Sequence, residues 1–236
     1  LAAQSGFSEC VNALVGAGVQ INTFNNDGYT PLHLAAACGA AGACESLIAH
    51  QPDLEAEDLH GKSPLDLACN VGSLACVDLL LAAGADFDHE DEAGCTCLHH
   101  ASLCGSTDVV AALLTAGADL DAPDFDGGTP LQYAANSGSA AVARKLLDAG
   151  ADPNEADING HIPLHHAAFD GNMICVTVMR EAGANIRTRG QDGMVPFMFA
   201  QMGGNEEIAE SLYFEEAPLV MAIREGDLDE MVRLVE

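Results

Sequence analysis

Residues 25–57 read NNDGYTPLHLAAACGAAGACESLIAHQPDLEAE, and this stretch returns in altered form along most of the 236-residue chain. The interval is 33 residues, and two glycines mark it most clearly. The first recurs as Gly28, Gly61, Gly94, Gly127, Gly160 and Gly193. The second recurs as Gly6, Gly39, Gly72, Gly105, Gly138, Gly171 and Gly204. The motif between them, Thr30-Pro31-Leu32-His33, returns as Thr96-Cys97-Leu98-His99, Thr129-Pro130-Leu131-Gln132 and Ile162-Pro163-Leu164-His165.

Each part of this unit has a local physical reason. Thr30 is suited to cap a helix that begins at Pro31, because proline has no N–H group to leave unpaired at that position. Gly39 is placed where a helix ends in a left-handed conformation. A second helix is predicted over residues 41–49, followed by a turn. One such unit cannot bury its own apolar face, so neighbouring units must stack.

The period of 33 residues and the TPLH-type motif resemble the ankyrin repeat family. The resemblance implies an all-α repeat solenoid, in which stacked helix-turn-helix units carry β-hairpin-like finger loops. It also implies that the TPLH histidines hydrogen-bond between the loops of neighbouring units. The predicted units form one array and lie at about 1–24 (partial), 25–57, 58–90, 91–123, 124–156, 157–189, 190–214 (shortened) and 215–236 (partial).

The apolar pairs of the predicted second helices are expected to face inward together: Leu14-Val15, Leu47-Ile48, Leu80-Leu81, Leu113-Leu114 and Leu146-Leu147. Leu1-Ala2-Ala3 aligns with Leu34-Ala35-Ala36, so the sequence is expected to open inside a first helix. The array is therefore expected to be a piece of a longer protein.

The chain is strongly acidic, with a formal net charge of −28. Up to Ala143, Lys62 is the one basic residue against 19 acidic ones. Binding to nucleic acid is disfavoured, because phosphate contacts need lysine and arginine. No apolar run approaches the roughly 18 residues that a membrane span needs, so no membrane insertion is expected. A protein partner with a basic patch is the natural complement, although acidic loops also serve simply to keep such an array soluble.

The nine cysteines suggest neither disulfides nor a metal site. Cys10, Cys76 and Cys175 occupy a repeat position that valine holds elsewhere, where cysteine acts as a small apolar residue. Cys38 and Cys104 lie two units apart, about 20 Å at the usual spacing of packed helices, which is too far for a bridge. An intracellular, reducing and cytoplasmic setting is therefore expected.

One cluster has the residue types of a zinc site, because Cys97, His100 and Cys104 would share a helix face. Its spacing lacks the paired ligands of structural zinc sites, and each member also has a place in the repeat, so no metal is predicted. The segment Asp124-Phe125-Asp126-Gly127 lacks the ligand order of a calcium loop and is interpreted as a finger turn. No catalytic signature is found, and neither an enzyme activity nor a cofactor is predicted.

A binding surface is the remaining prediction. The family resemblance implies that partners dock on the concave side, against finger tips and the exposed ends of the first helices. Apolar residues at such positions would form one strip rimmed by carboxylates, such as Asp91, Glu92, Asp124 and Asp157. The predicted partner-binding residues are Leu59, Val71, Leu103, Phe125, Ile158, Phe169, Met194 and Met202.

Two functions fit this sequence. The first is a monomeric, non-catalytic scaffold or adaptor module that binds a basic and partly apolar segment of a protein partner. The alternative is a regulatory array within a larger enzyme or channel, which contacts another domain of the same chain.

We predict that neither a metal nor a disulfide stabilises the fold. Because the cysteines and histidines all occupy packing or capping positions of the repeat, a chelator and a reductant should each leave the melting temperature unchanged. Thermal unfolding followed by circular dichroism tests this. A drop of more than a few degrees with chelator would instead support a site at Cys97, His100 and Cys104.

Overall fold

The computed structural model describes Ala3 and residues 8–216, and within this part of the chain it is all-helical, with no strand. The predicted eighth unit, except for its first residues, and the predicted opening inside a first helix lie outside the described residues. The helices are α1 (Ser8–Gly16), α2 (Pro31–Ala37), α3 (Ala41–Ile48), α4 (Pro64–Asn70), α5 (Leu74–Ala83), α6 (Cys97–Cys104), α7 (Thr107–Ala116), α8 (Pro130–Asn136), α9 (Ala140–Ala149), α10 (Pro163–Phe169), α11 (Met173–Glu181), α12 (Pro196–Met202) and α13 (Glu206–Glu216).

From α2 onward the helices form antiparallel pairs, each made of a short first helix and a second helix. The first helices α2, α4, α6, α8, α10 and α12 pack side by side in one row, and the second helices pack in another. Alanine makes this close packing possible, since Ala35 and Ala36 of α2 are fully buried together with Leu32. The core is therefore a continuous layer between the two rows, as expected for an array whose units cannot bury an apolar face alone.

The second helices bury less than the sequence suggests. In the four pairs from unit 25–57 to unit 124–156 the first member is buried, as at Leu80, Leu113 and Leu146, whereas the second is only half-buried. Consecutive residues of a helix point about 100° apart, so both cannot face the same layer. At Leu14 the prediction is wrong, because this side chain is exposed. Cys10 is likewise exposed, unlike its counterparts Cys76 and Cys175.

Both termini of the first helices follow the predicted chemistry. Thr30 caps α2 by accepting a hydrogen bond from the His33 N–H, and Pro31 is the first helical residue. The helix then ends ahead of Gly39, which has a φ of 64°. A left-handed residue at this point satisfies the last carbonyls of the helix and turns the chain toward the second helix.

A residue in the left-handed conformation also follows the second helices, and it is glycine in every described unit but one. Glycine holds it at Gly18, Gly84, Gly117, Gly150 and Gly183, but Gln51 holds it after α3, with a φ of 56°. A left-handed residue that carries a side chain is strained by roughly 1–2 kcal/mol.

Replacing Gln51 by glycine should therefore stabilise the array by about 1 kcal/mol, less the extra freedom that glycine gives the unfolded chain. Urea unfolding of the two proteins measures the difference. Gly84→Ala is the converse control: an added Cβ there meets no atom within 4 Å, so its cost is that of the backbone conformation alone. If Gln51→Gly lowers the free energy of unfolding while Gly84→Ala also lowers it, strain at residue 51 is not the reason for the glycine pattern.

Candidate protein-interaction surface

Four consecutive fingers are tight turns, each closed by an aspartate. In the finger of unit 58–90, Asp58 Oδ1 accepts hydrogen bonds from the N–H groups of His60 and Lys62, at 2.7 and 3.0 Å. The Asp58 N–H also donates to the Lys62 carbonyl at 3.0 Å. Aspartates at the same repeat position close the next three fingers in the same way: Asp91, Asp124 and Asp157.

The fingers are joined tip to tip. The Phe125 N–H donates to the Ala93 carbonyl at 3.0 Å, and the Ile158 N–H donates to the Asp126 carbonyl at 2.9 Å. A glycine makes this approach possible, since a Cβ at Gly94 would lie 2.7 Å from the backbone nitrogen of Phe125. Successive fingers therefore form one connected row, although none of them is paired as a strand.

A second set of bonds ties each first helix to the following finger. His33 accepts the Thr30 N–H at Nδ1, at 3.1 Å, and donates from Nε2 to the Lys62 carbonyl, at 3.0 Å. This requires a neutral imidazole protonated at Nε2. His99 and His165 make the same two kinds of bond. Burial lowers the pKa of all three histidines, that of His165 to about 4, which favours the neutral form.

Two units replace the histidine by another polar residue and show what its role requires. Gln132 accepts the Thr129 N–H at 3.0 Å and donates to the His161 carbonyl at 2.7 Å, so it reproduces both bonds. Asp66 accepts the Ser63 N–H at 2.8 Å but, when ionised, has no proton for a carbonyl. The neighbouring unit supplies the donor instead, because the thiol of Cys97 lies 3.0 Å from Asp66 Oδ1. Cys97 thus stands at the repeat's proline position as part of an inter-unit contact.

In three of these four fingers the second oxygen of the aspartate forms what we call the finger latch, a contact with the first helix of the same unit. Tyr133 donates to Asp124 Oδ2 at 2.7 Å, and His100 Nε2 lies 3.1 Å from Asp91 Oδ2. His166 Nε2 lies 3.5 Å from the corresponding oxygen of Asp157. In unit 58–90 leucine occupies the latch position, and the buried Oδ2 of Asp58 has no hydrogen-bond partner among the described residues.

The electrostatics of the best buried latch favour a neutral histidine beside a carboxylate. Burial lowers the pKa of His100, and Lys62 lowers it further. Burial raises the pKa of Asp91, but hydrogen bonds from the Cys95 and Ala93 N–H groups outweigh this and lower it. His100 therefore donates a hydrogen bond to Asp91 without carrying a positive charge at neutral pH.

These contacts correct the expected rim of carboxylates. Asp91 is buried, and Asp124 and Asp157 are half-buried, with both oxygens of each engaged inside the unit. Only Glu92 of the four predicted rim residues has an exposed side chain. The sequence signal was present, because aspartate stands three residues before four successive finger glycines, the spacing of a turn that closes on its own backbone.

The structure exposes seven of the eight predicted binding residues. We call these seven the apolar strip: the tip residues Leu59, Phe125 and Ile158, and the first-helix end residues Val71, Leu103, Phe169 and Met202. Their exposed fractions range from 44% at Leu103 to 66% at Phe125, although they are large apolar side chains. The helix-end members are not continuous, since exposed Asn136 of α8 lies in line between Leu103 and Phe169.

Met194 does not belong with the finger tips. Its side chain is half-buried, and its carbonyl lies 3.4 Å from Nε2 of His165. Met194 directly follows Gly193, just as Lys62 follows Gly61. It therefore lies at the base of its finger. The tip of that finger is Gln191, whose N–H donates to the Asn159 carbonyl.

Phe169 is the member of the apolar strip with the most defined surroundings. Its ring centroid lies 6.4 Å from that of Phe199 in the next first helix. Phe199 in turn packs against His161 and His165, with centroids 4.8 and 5.0 Å apart. The exposed ring of Phe169 thus rests on an aromatic cluster that joins the finger base to two first helices.

Sequence reasoning missed an acidic surface that we call the acidic edge, in the turns that join each second helix to the next finger. Backbone N–H groups of one turn donate to carboxylates of the preceding turn, as from Asp86 to Glu55 at 3.1 Å and from Asp152 to Asp121 at 3.2 Å. Burial and then neighbouring carboxylates raise the pKa values of Asp88 and Asp121. The 33-residue interval between the members was the available signal: Asp53, Glu55, Asp86, Asp88, Asp119, Asp121 and Asp152.

The three residues that have the types of zinc ligands do not converge on one point. Cys97 contacts Asp66, His100 contacts Asp91, and Cys104 is exposed. Among the residues that the structure describes, no group of three or more potential ligands is arranged to hold a metal ion. In the same part of the chain, no helix has the length and apolar character that a membrane span requires.

Paired helices in stacked rows, joined by hydrogen-bonded fingers, define a repeat solenoid of the helix-turn-helix class. A family model for ankyrin repeats in three copies matches residues 1–91 and 72–157, and a model for a single ankyrin repeat matches residues 159–191. These matches cover most of the chain, which therefore belongs to the ankyrin repeat family. Ankyrin repeats are generally protein-interaction modules and are typically non-catalytic.

Solved ankyrin repeat domains resemble most of the chain. The human ASB11 ankyrin repeat domain is 27% identical with a TM-score of 0.80, and the match covers 89% of this chain and 95% of that one. The ankyrin repeat domain of Bcl-3, a member of the IkappaB protein family, is 28% identical with a TM-score of 0.72, covering 90% and 96%.

A shorter likeness exists to curated proteins. Protein phosphatase 1 regulatory subunit 12A of mouse and of rat is 40% identical over 55 residues, which is 23% of this chain. The match spans only 5% of the length of those relatives.

The buried histidines predict loss of stability in acid. An unfolded histidine has a pKa of about 6.5, so the unfolded chain binds more protons and stability falls as the pH drops from there toward about 4, the folded pKa of His165. His165→Gln should retain both hydrogen bonds, as Gln132 does, and flatten this slope by up to about 1.4 kcal/mol per pH unit.

Urea unfolding of the variant and the parent at a series of pH values measures that slope. Gln132→His is the converse control and should steepen it. If His165→Gln keeps the full slope of the parent, the acid sensitivity arises elsewhere in the array.

Proposed function

We propose that this array is a non-catalytic scaffold or adaptor module whose apolar strip, on the concave face, binds a basic and partly apolar segment of a partner protein. The observation that carries the proposal is the repeated exposure of large apolar side chains at finger tips and first-helix ends. The repeat positions next to them serve the fold, whereas these large apolar side chains leave 44–66% of their surface exposed. Exposed apolar residues in a connected set are typical of interaction sites.

The tips of the apolar strip are held rigidly before any partner arrives. Phe125 and Ile158 are both joined through their own N–H groups to the preceding finger, and their fingers are closed by Asp124 and Asp157. A surface ordered in advance loses little conformational entropy on binding. A few such apolar anchors are enough to supply most of the affinity of an interface.

Charge supports a basic partner. The finger aspartates are engaged internally, so the carboxylates available to a partner are those of the acidic edge and exposed finger residues such as Glu92 and Asp126. Exposed charges of one sign speed the encounter with an oppositely charged protein and favour it over others. The partner segment should therefore carry lysine or arginine next to its apolar residues.

A regulatory array within a larger protein is the second candidate. It is favoured by the local likeness to a phosphatase regulatory subunit. In that case the apolar strip would contact another domain of the same chain. Limited proteolysis of the full-length protein, with and without strip substitutions, separates this candidate from the adaptor.

The rest of the proposal follows from the same surfaces. We propose that the array acts as a monomer, in a reducing, cytoplasmic setting, and that it binds neither nucleic acid nor a membrane. Its large negative charge opposes both association with phosphate groups and close approach of a second copy.

The test uses a peptide selected from a random displayed library for binding to the array. Phe125→Ala and Phe169→Ala should each weaken its binding by about 1–3 kcal/mol, because each removes an apolar anchor. Raising the salt concentration should slow association more than it changes dissociation. Binding kinetics measure both effects, and circular dichroism checks the helical content of each variant.

Ile174→Ala is the matched control, because Ile174 is also a large exposed residue but lies on the second helix α11, outside the apolar strip. Its binding should equal that of the parent. If both phenylalanine variants bind normally while Glu92→Lys abolishes binding at every salt concentration, the strip is not the site and charge alone provides the recognition.

A further inference from the structure

Two buried cysteines meet between the second helices of neighbouring units. Cys44 of α3 and Cys76 of α5 are both fully buried, and their sulfur atoms are 3.7 Å apart. The Cys44 thiol donates to the Cys76 sulfur. A disulfide has an S–S length of about 2.05 Å, so the two atoms need to approach by less than about 2 Å. Both cysteines are free thiols in the structure.

Cys76 has surroundings that stabilise a thiolate. It is the third residue of α5, and the first turn of a helix stabilises negative charge. The hydrogen bond from Cys44 lowers the pKa of Cys76 to about 6, opposed by burial and assisted by a hydrogen bond from Ser73. The same pairing, together with burial, raises the pKa of Cys44, which therefore keeps its proton.

The chain contains a natural comparison for this environment. Cys175 is also fully buried and is the third residue of α11, the same repeat position as Cys76. The repeat position of Cys44 is held there by Ala143, so no thiol partner is supplied from it. Burial raises the pKa of Cys175 to about 11. The helix position alone thus does not produce a reactive thiol, and the difference lies in the paired sulfur.

We propose that Cys44 and Cys76 form a reversible redox pair, which a hydroperoxide converts into a disulfide that fastens unit 25–57 to unit 58–90. The Cys76 thiolate attacks one oxygen of hydrogen peroxide, and the O–O bond breaks to give a sulfenic acid and hydroxide, which takes up a proton to become water. The Cys44 sulfur then attacks the sulfenic sulfur, loses its proton and displaces hydroxide, which leaves as a second water. Both thiols are oxidised, and the peroxide is the oxidant that is reduced.

The disulfide would act on the contact between two units. Opening of a repeat array requires neighbouring units to separate, because each unit contacts only its neighbours. A bond between α3 and α5 prevents this separation and closes a loop of chain in the unfolded state. Oxidation is therefore expected to stabilise the interface between these units without moving the finger row.

The test treats the 236-residue chain, purified in reductant, with hydrogen peroxide well below its melting temperature. Peptide mapping without reduction should find a Cys44–Cys76 disulfide as the main cross-link, with Cys175 still a free thiol. The melting temperature should rise by several degrees and return to its starting value after treatment with dithiothreitol. Cys44→Ala and Cys76→Val should abolish both the cross-link and the rise.

The two substitutions use residues that the chain itself places at these positions, Ala143 and Val142, and circular dichroism checks that each variant folds. If the exposed thiols of Cys38 and Cys104 become oxidised while no Cys44–Cys76 peptide forms, the proposal is overturned. Cross-links that include Cys175 in comparable yield also overturn it, because they would show that oxidation follows unfolding.

Discussion

In four of the first helices the third residue donates a hydrogen bond to the carbonyl at the base of the next finger, and the rest of this structure depends on this constraint. A helix pair of this size has no stable core of its own, so its orientation must be fixed by its neighbour. The bond joins a polar side chain, already engaged in capping its own helix, to the backbone of the following unit. Capping and stacking are thereby made by one side chain.

The units without this histidine show that the side chain at its position must supply a hydrogen-bond donor as well as an acceptor. Glutamine reproduces both bonds because it carries an acceptor and a donor. Asp66 has only acceptors when ionised. In the neighbouring unit the thiol of Cys97, at the proline position of the repeat, donates to it. Cysteine at position 97 replaces the proline that favours a helix start, and its thiol contacts Asp66. The first helix of unit 91–123 still begins at this residue.

The carboxylates of the finger aspartates are used within the fold and are not available to a partner. One oxygen closes the turn, and the other contacts a tyrosine or histidine of the first helix. These contacts fix the finger against the first helix of its own unit. The backbone hydrogen bonds between tips fix it against the neighbouring finger. The negative charge that remains available outside the fold lies on the acidic edge and at a few exposed tip residues, and the apolar strip is left as the most distinctive accessible surface.

The sequence alone determined the repeat period, the helix starts at Thr30-Pro31, the left-handed helix ends and the exposure of most of the apolar strip. These features depend on local chemistry, which a period of 33 residues displays directly. Only the tertiary structure decided which member of each leucine pair is buried and that Cys44 meets Cys76. Each of these depends on how one unit is rotated against the next, and that angle is set by packing across the interface rather than by any residue's own preference.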